Sequence, residues 1–157
     1  MIIGPATAAD ATEILALQRL AYRSEAELYD DFSIPPLTQT LDELMAEFPG
    51  RTVLKAVDGE KIVGSVQGFQ VGDTCFVGRL MVHPDWQGNG LGTQLMAAIE
   101  SRFTAVDRFE LYTGHRSSAN IRLYERLGYG QFRTEKVNSR LSLVFMEKHA
   151  LQGEIAG

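Results

Sequence analysis

Two stretches of this 157-residue chain combine residue types and spacings that could do chemistry. The first is Q-G-N-G-L-G, residues 87–92, which puts three glycines into six positions directly before the helix-like run T-Q-L-M-A-A-I-E. Glycine is costly in an ordered segment, so the cluster marks either a backbone shape closed to other residues or a ligand lying against bare amides. Amides at a helix start are unpaired and lie at the positive end of the helix dipole, so an anion there gains several charge-assisted hydrogen bonds. The second stretch is N-I-R-L-Y-E-R-L-G-Y, residues 120–129. In it Asn120 and Tyr124 are spaced i, i+4 and share one helical face. The three histidines differ in promise. His115 follows the strand-like F-E-L-Y-T-G, and histidine as a residue type is suited to proton transfer near neutrality. His83, in a V-H-P connector, reads as a structural or surface residue, and His149 as a solvated one.

Three phosphate-loop readings compete for residues 87–92. A nucleoside triphosphate loop fails because no G-x-x-x-x-G-K-[S/T] is present. A dinucleotide fingerprint needs G-x-G-x-x-G directly after a first parallel strand, whereas this is G-x-G-x-G in mid-chain. A ligand-free glycine turn is the bland alternative.

The elements that must position these residues follow from periodicity and turn signals. Thr7 with Asp10 caps a first helix on which Ile14, Leu17, Ala21 and Leu28 recur, and Thr40 with Glu43 caps a second that stops at Pro49-Gly50. A loop stiffened by Pro35-Pro36 joins them. T-V-L-K-A-V, K-I-V-G-S-V-Q-G-F and T-C-F-V-G-R-L-M-V, separated by Asp-Gly and Gly-Asp turns, read as a three-stranded antiparallel meander. Leu91, Leu95, Ala98, Ile99 and Phe103 then form a helical stripe before the strand R-F-E-L-Y-T, a crossover that implies parallel neighbours. Ser117 or Ser118 caps a further helix ended by Gly128, and two strands near Y-G-Q-F-R-T-E and L-S-L-V-F-M-E complete the sheet. The expectation is a mixed α/β fold: a mostly antiparallel twisted sheet of about seven strands flanked by about four helices, in one domain spanning 1–157. Residues 150–157 read as a flexible tail.

Composition narrows the function. A formal net charge of −5 argues against nucleic acid as the main partner. The single cysteine, Cys75, excludes an intrachain disulfide framework and a CxxC metal site, and no metal is expected. The start M-I-I-G-P-A-T-A-A-D has neither a basic region nor a long apolar run, so no membrane partner is expected and the cytoplasm is the default location.

The run L-M-V-H-P-D-W-Q-G-N-G-L-G-T, residues 80–93, resembles the acyl-CoA signature Q/R-x-x-G-x-G/A of the GNAT superfamily of N-acyltransferases, with Gln87, Gly90 and Gly92 in the signature positions. Residues 120–129 resemble that family's later helix, and the element order agrees from about residue 2 to 148. The resemblance implies an acetyl-CoA-dependent N-acetyltransferase with acetyl-CoA as cosubstrate. Gln87, Gly88, Asn89, Gly90, Leu91, Gly92 and Thr93 would then cradle the pyrophosphate. The strand groups of Leu80, Met81 and Val82 would meet the pantetheine amides, and a backbone N–H near Met81 or Val82 would polarise the thioester. Asn120 would hold the pantetheine arm and Tyr124 would protonate the departing thiolate.

The chain departs from the family where a strand glutamate often serves as base, because those positions fall on Phe76 and Gly78. His115, Glu25 and a water chain are the candidate proton acceptors. The acceptor, a primary amine of a small molecule or peptide, is expected near Tyr22, Glu25, Tyr29, Asp30 and Asp31, where carboxylates and aromatic rings would suit a cation. A non-catalytic acyl-CoA-binding or sensing module is the alternative from another class, and a homodimer is left open.

Overall fold

The computed structural model describes residues 1–150. The tail expectation for residues 151–157 lies outside the described residues, while Ala150 is tied down by its N–H to the Asp107 carbonyl at 2.8 Å.

Seven strands form one sheet in the order β1-β2-β3-β4-β5-β7-β6: β1 (Ile2–Pro5), β2 (Thr52–Asp58), β3 (Lys61–Val71), β4 (Thr74–Val82), β5 (Arg108–Gly114), β6 (Gly130–Lys136) and β7 (Ser142–His149). All neighbours are antiparallel except β4 and β5. The meander of β2, β3 and β4 and the crossover from β4 to β5 therefore agree with the reading from turn signals and periodicity.

Among the described residues six α-helical segments cover the sheet: α1 (Ala11–Ala21), α2 (Arg23–Tyr29), α3 (Pro35–Thr38), α4 (Leu41–Glu47), α5 (Leu91–Glu100) and α6 (Ser118–Arg126). The expectation of about four differs in two places. The first helix is interrupted at Tyr22, whose φ of −85° and ψ of 0° tighten the end of α1 before α2 resumes. The Pro-Pro loop contains one helical turn, because proline at the first positions of a helix needs no N–H partner and presets φ. At α4 the capping box forms as expected, with Glu43 N–H donating to Thr40 Oγ1 at 3.2 Å and Thr40 N–H donating to the Glu43 carboxylate at 2.9 Å.

The helices sort by face. Helix α5 lays Leu91, Leu95, Met96 and Ile99 onto one side of the sheet, against Leu54, Val63, Val66, Cys75 and Val77. On the other side Ile14, Leu15, Leu17 and Leu44 of α1 and α4 pack with Val53, Ile62 and Met81. Burying a side chain of this size contributes about 1.5–3 kcal/mol, so these two faces fix where both ends of α5 and the α1–α2 break must lie.

Candidate functional site

The site begins where the sheet fails to close. Strands β4 and β5 pair only through Thr74, Cys75 and Phe76 against Arg108, Phe109 and Glu110. Beyond that point β5 stays on β7 as far as Gly114, and β4 stays on β3 as far as Val82, so the two strands diverge. A slot opens between them, and the β4 backbone groups that face it have no ladder partner.

Ladder alternation identifies those groups. His83 N–H donates to the Val63 carbonyl at 2.8 Å, and Met81 stands opposite Ser65. Hydrogen-bonded pairs recur every second residue of an antiparallel ladder, so the backbone of Met81 turns toward β3 and the groups of Leu80 and Val82 turn toward the slot. Two side chains confirm that direction: Tyr22 Oη donates to the Leu80 carbonyl at 3.0 Å, and Gln87 Nε2 donates to the Val82 carbonyl at 3.3 Å. Met81, expected beside them, is a core residue at 3% exposure.

A cavity of about 480 Å³ occupies one end of the slot. Leu80, Met81, Val82, Gln87, Gly88, Gly90, Leu91, Gly92 and Thr93 line it, as does Asn120 from α6. Of the glycine-loop residues singled out from the sequence, Asn89 is the one that does not line this cavity. Gly88 and Gly90 have φ of +82° and +80°, a conformation that L-residues rarely adopt, and Gly90 is the cap from which α5 starts. The turn therefore starts α5 at the cavity, where Gly88, Gly90 and Gly92 line the wall without a side chain. Leu123 and Arg126 also line it, at i+3 and i+6 from Asn120. That helical spacing would have pointed to Arg126, a cation the sequence reading passed over.

A second cavity, of about 540 Å³, occupies the other end. Tyr22, Glu25, Leu80 and Asn120 line both cavities and so form their junction. Tyr124 lines the second, 93% buried by its exposure of 7%, and its hydroxyl makes no hydrogen bond among the described residues. Burial pushes the Tyr124 phenol well above its ordinary value, with Tyr22 and Glu25 adding to the shift, so the group keeps its proton at neutral pH. Burial acts on Tyr22 in the same direction, with Arg79 opposing it and Glu25 reinforcing it.

The candidate bases separate. Glu25 accepts from Ser117 Oγ at 2.5 Å and from Asn120 Nδ2 at 3.4 Å, which holds its carboxylate at the junction. His115 is exposed and lines neither cavity, and its Nδ1 accepts from Ser142 N–H at 2.9 Å. That lone pair is engaged with backbone, so the geometry speaks against His115 as the proton acceptor. His83 Nδ1 accepts from Asp85 N–H at 3.1 Å and caps a short turn, a structural role. Phe76 stacks on Phe69 with centroids 5.4 Å apart, and both line the second cavity together with Gly78.

The acceptor stretch is also divided. Tyr22, Glu25 and Tyr29 line the second cavity, whereas Asp30 and Asp31 do not. Tyr29 Oη accepts from Arg116 N–H at 2.8 Å and lies so close to Gly114 that a β-carbon there would overlap it. Tyr29 thus braces the turn that carries Ser117. The floor of the cavity was not legible: Arg51 donates to Gln67 Oε1 at 3.0 Å and stands 3.7 Å from Glu47.

The profile of the Acetyltransferase (GNAT) family matches residues 13–129. The UPF0157 protein YqkA of Bacillus subtilis (strain 168) is 27% identical over 133 residues, which is 85% of this chain and 38% of that protein, so the chain spans well under half of that relative. Among solved structures, PaiA N-acetyltransferase from Thermoplasma acidophilum in complex with coenzyme A superposes with a TM-score of 0.78 at 15% identity, over 95% of this chain and 98% of that one. YncA, a putative acetyltransferase from Salmonella typhimurium with acetyl-CoA, gives 0.74 at 23% identity over 95% and 93%. These likenesses carry the fold, and the family profile carries the assignment. The chain belongs to the GNAT acetyltransferase family.

Proposed function

We propose that this chain transfers an acetyl group directly from acetyl-CoA to a primary amine of a small molecule or peptide, acting as one cytoplasmic unit without a covalent enzyme intermediate. The observation that carries this reading is the junction: the cavity lined by the glycine loop and the cavity lined by Tyr124 meet at Tyr22, Glu25, Leu80 and Asn120. A long ligand anchored at α5 would have its reactive end there. CoA bound in solved structures of the same fold supports the choice of donor.

In this mechanism the exposed amides of residues 90–93 hold the pyrophosphate at the positive end of α5. The slot-facing N–H groups of Leu80 and Val82 take the pantetheine amide and polarise the thioester carbonyl, which replaces Met81 in that role. The amine nitrogen attacks the carbonyl carbon, an N–C bond forms, and the C–S bond breaks. Tyr124 gives its proton to the departing sulfur and is reprotonated by the second proton, which the nitrogen sheds as the amide forms. The proton lost by the ammonium passes to Glu25 or through it to solvent, since no carboxylate stands at Phe76 or Gly78. Asn120, bonded to Glu25, couples the orientation of that base to the pantetheine arm.

The test is a panel of primary amines incubated with acetyl-CoA, reading free thiol release and acetylated product together. Turnover with at least one amine above the hydrolysis background is the expected result. Stabilisation by CoA with no transfer to any amine would instead establish the acyl-CoA-binding module, the reading favoured by the absent strand carboxylate.

A further inference from the structure

The second cavity has a charge pattern of which the acetyl-transfer reading uses only Glu25. Five charged side chains line it: Glu25, Glu47, Arg51, Arg79 and Glu110. Three of these have an oppositely charged partner within the protein, although Glu47 Oε1 makes no hydrogen bond among the described residues. Arg51 serves Glu47 and Gln67, and Glu110 takes a 2.8 Å bond from Arg108. The remaining two are Glu25, whose partners are the neutral Ser117 and Asn120, and Arg79, which makes no hydrogen bond or ion pair among the described residues. The cavity thus presents one unmatched anion and one unmatched cation.

The backbone aims Arg79 there. From Ser65 to Gln67 is two positions on β3, but the partners Met81 and Gly78 are three positions apart on β4, so β4 carries one extra residue. Arg79 sits in that bulge with φ of +52°, a conformation in which glycine would be at ease. A bulge residue leaves the alternation of faces, which is how a side chain from the strand facing α5 reaches a cavity on the other side. The surrounding wall is apolar and aromatic, with Ile34, Pro36, Phe69, Phe76, Tyr112 and Leu143.

Resting on the acetyl-transfer reading, we propose that the acceptor is a zwitterionic amino acid with an apolar side chain, its amine held at the Glu25 side of the cavity and its carboxylate paired with Arg79. The guanidinium is suited to this because its planar fork engages a carboxylate bidentately. Its cost of desolvation is offset only when such a partner arrives. The apolar wall receives the side chain, and the Glu25 end lies at the junction, where the amine must be for transfer.

The experiment is isothermal titration of the CoA-saturated protein with phenylalanine, leucine, methionine and tryptophan, each paired with its methyl ester. The ester keeps the amine and the side chain but removes the carboxylate charge. At least one free amino acid should bind about 10-fold or more tightly than its ester, in line with the strength of a charge-assisted bidentate pair. In Arg79→Gln that difference should shrink to within about 2-fold, while CoA affinity and melting temperature are retained. Equal affinity of acid and ester, binding by no member of the panel, or a preference that survives Arg79→Gln would each overturn the proposal. The readout is separable from catalysis. A carboxylate preference that depends on Arg79, in a protein that releases no thiol with the same amino acids, would uphold the recognition and sink the acetyl-transfer reading instead.

Discussion

The two ends of the slot are built on opposite plans. The end at α5 is made of backbone from one contiguous stretch: residues 87–93 supply the turn, the helix start and the amides, and two positive-φ glycines give them their shape. The other end, proposed to take the acceptor and called the acceptor end below, is made of side chains from distant segments: Tyr22 and Glu25 from the α1–α2 break, Arg51 and Gln67 from β2's approach and β3, Arg79 from the β4 bulge, and Tyr124 from α6. A backbone site depends on conformation, so few residue types serve and any of them writes a legible motif. A side-chain site depends on what the fold brings together, and its residues carry no common spacing.

The sharpest way to break this comparison is Tyr124→Phe. It removes one oxygen from the acceptor end and leaves packing in place, including the tilted contact with Tyr129 at 6.0 Å between centroids. If Tyr124 protonates the thiolate, kcat should fall by about 10²–10⁴-fold, the usual worth of a general acid, with acetyl-CoA affinity changed by no more than about 3-fold. Stopped-flow thiol release with separately measured binding checks both. A kcat loss under about 3-fold would reduce Tyr124 to packing.

Next in size is Gly90→Val, directed at the other end. Valine at φ +80° costs about 1–2 kcal/mol of strain, and relaxing it would turn the first α5 amides away from their ligand. Losing even one charge-assisted bond removes about 1.5–3 kcal/mol more, so CoA affinity should drop about 100-fold. No heavy atom lies within 4 Å of the added β-carbon, so the native contacts survive and the melting transition should persist. An unchanged CoA affinity would reduce the loop to an ordinary turn.

The same contrast explains what could be read in advance. The meander, the crossover helix and the capping box at Thr40 were legible because turn residues and a single period announce them. The glycine loop was legible for the same local reason, and Asn120 with Tyr124 because one helix carries both. Tyr22's break in the first helix was not, since Ala21, Tyr22 and Arg23 all suit a helix and the contact Tyr22 makes there, its hydroxyl on the Leu80 carbonyl of β4, joins residues far apart in the chain. The number of slot-facing groups on β4 was hidden by the bulge at Arg79: counting alternate residues from Phe76 gives the wrong face for everything after it. His115 attracted attention by residue type and nearness in sequence, yet β7 arrives to occupy its Nδ1, a contact 27 residues away in the chain.

A third prediction concerns alkaline pH. Tyr22 and Tyr124 at the acceptor end have phenols raised above their unfolded value of about 10, chiefly by burial. A raised phenol binds its proton more tightly when folded, so its contribution to stability is full below about pH 10 and is lost as pH climbs toward the folded value. Each such group should remove up to about 1.4 kcal/mol per pH unit above pH 10. Urea unfolding between pH 8 and 11 should therefore show a falling limb that is shallower in Tyr22→Phe. The glycine loop contains no titratable side chain, so between pH 7 and 9 the affinity for CoA should stay flat. A CoA affinity that falls steeply over that range would mean that a group outside the loop, one that loses its charge between pH 7 and 9, holds the phosphates.

The smallest effect separates function from folding at Arg79. An arginine at φ +52° is strained by about 1 kcal/mol or more relative to glycine, while glycine loosens the unfolded chain by about 0.4–1 kcal/mol. These terms oppose each other. Because Arg79 makes no bond among the described residues, no lost contact adds to either side. Arg79→Gly should therefore leave the melting temperature nearly unchanged or raise it slightly, within the few degrees that ~1 kcal/mol gives a chain of this length. A clear destabilisation, beyond about 2 kcal/mol in equilibrium denaturation, would show that the arginine holds the bulge together, and its place in the cavity would then be a consequence of structure. A neutral or stabilised variant that has lost its preference for carboxylate-bearing ligands would show the opposite. The strain at Arg79 would then be retained for what the side chain binds, and the acceptor end, like the glycine loop, would depend on an unusual φ.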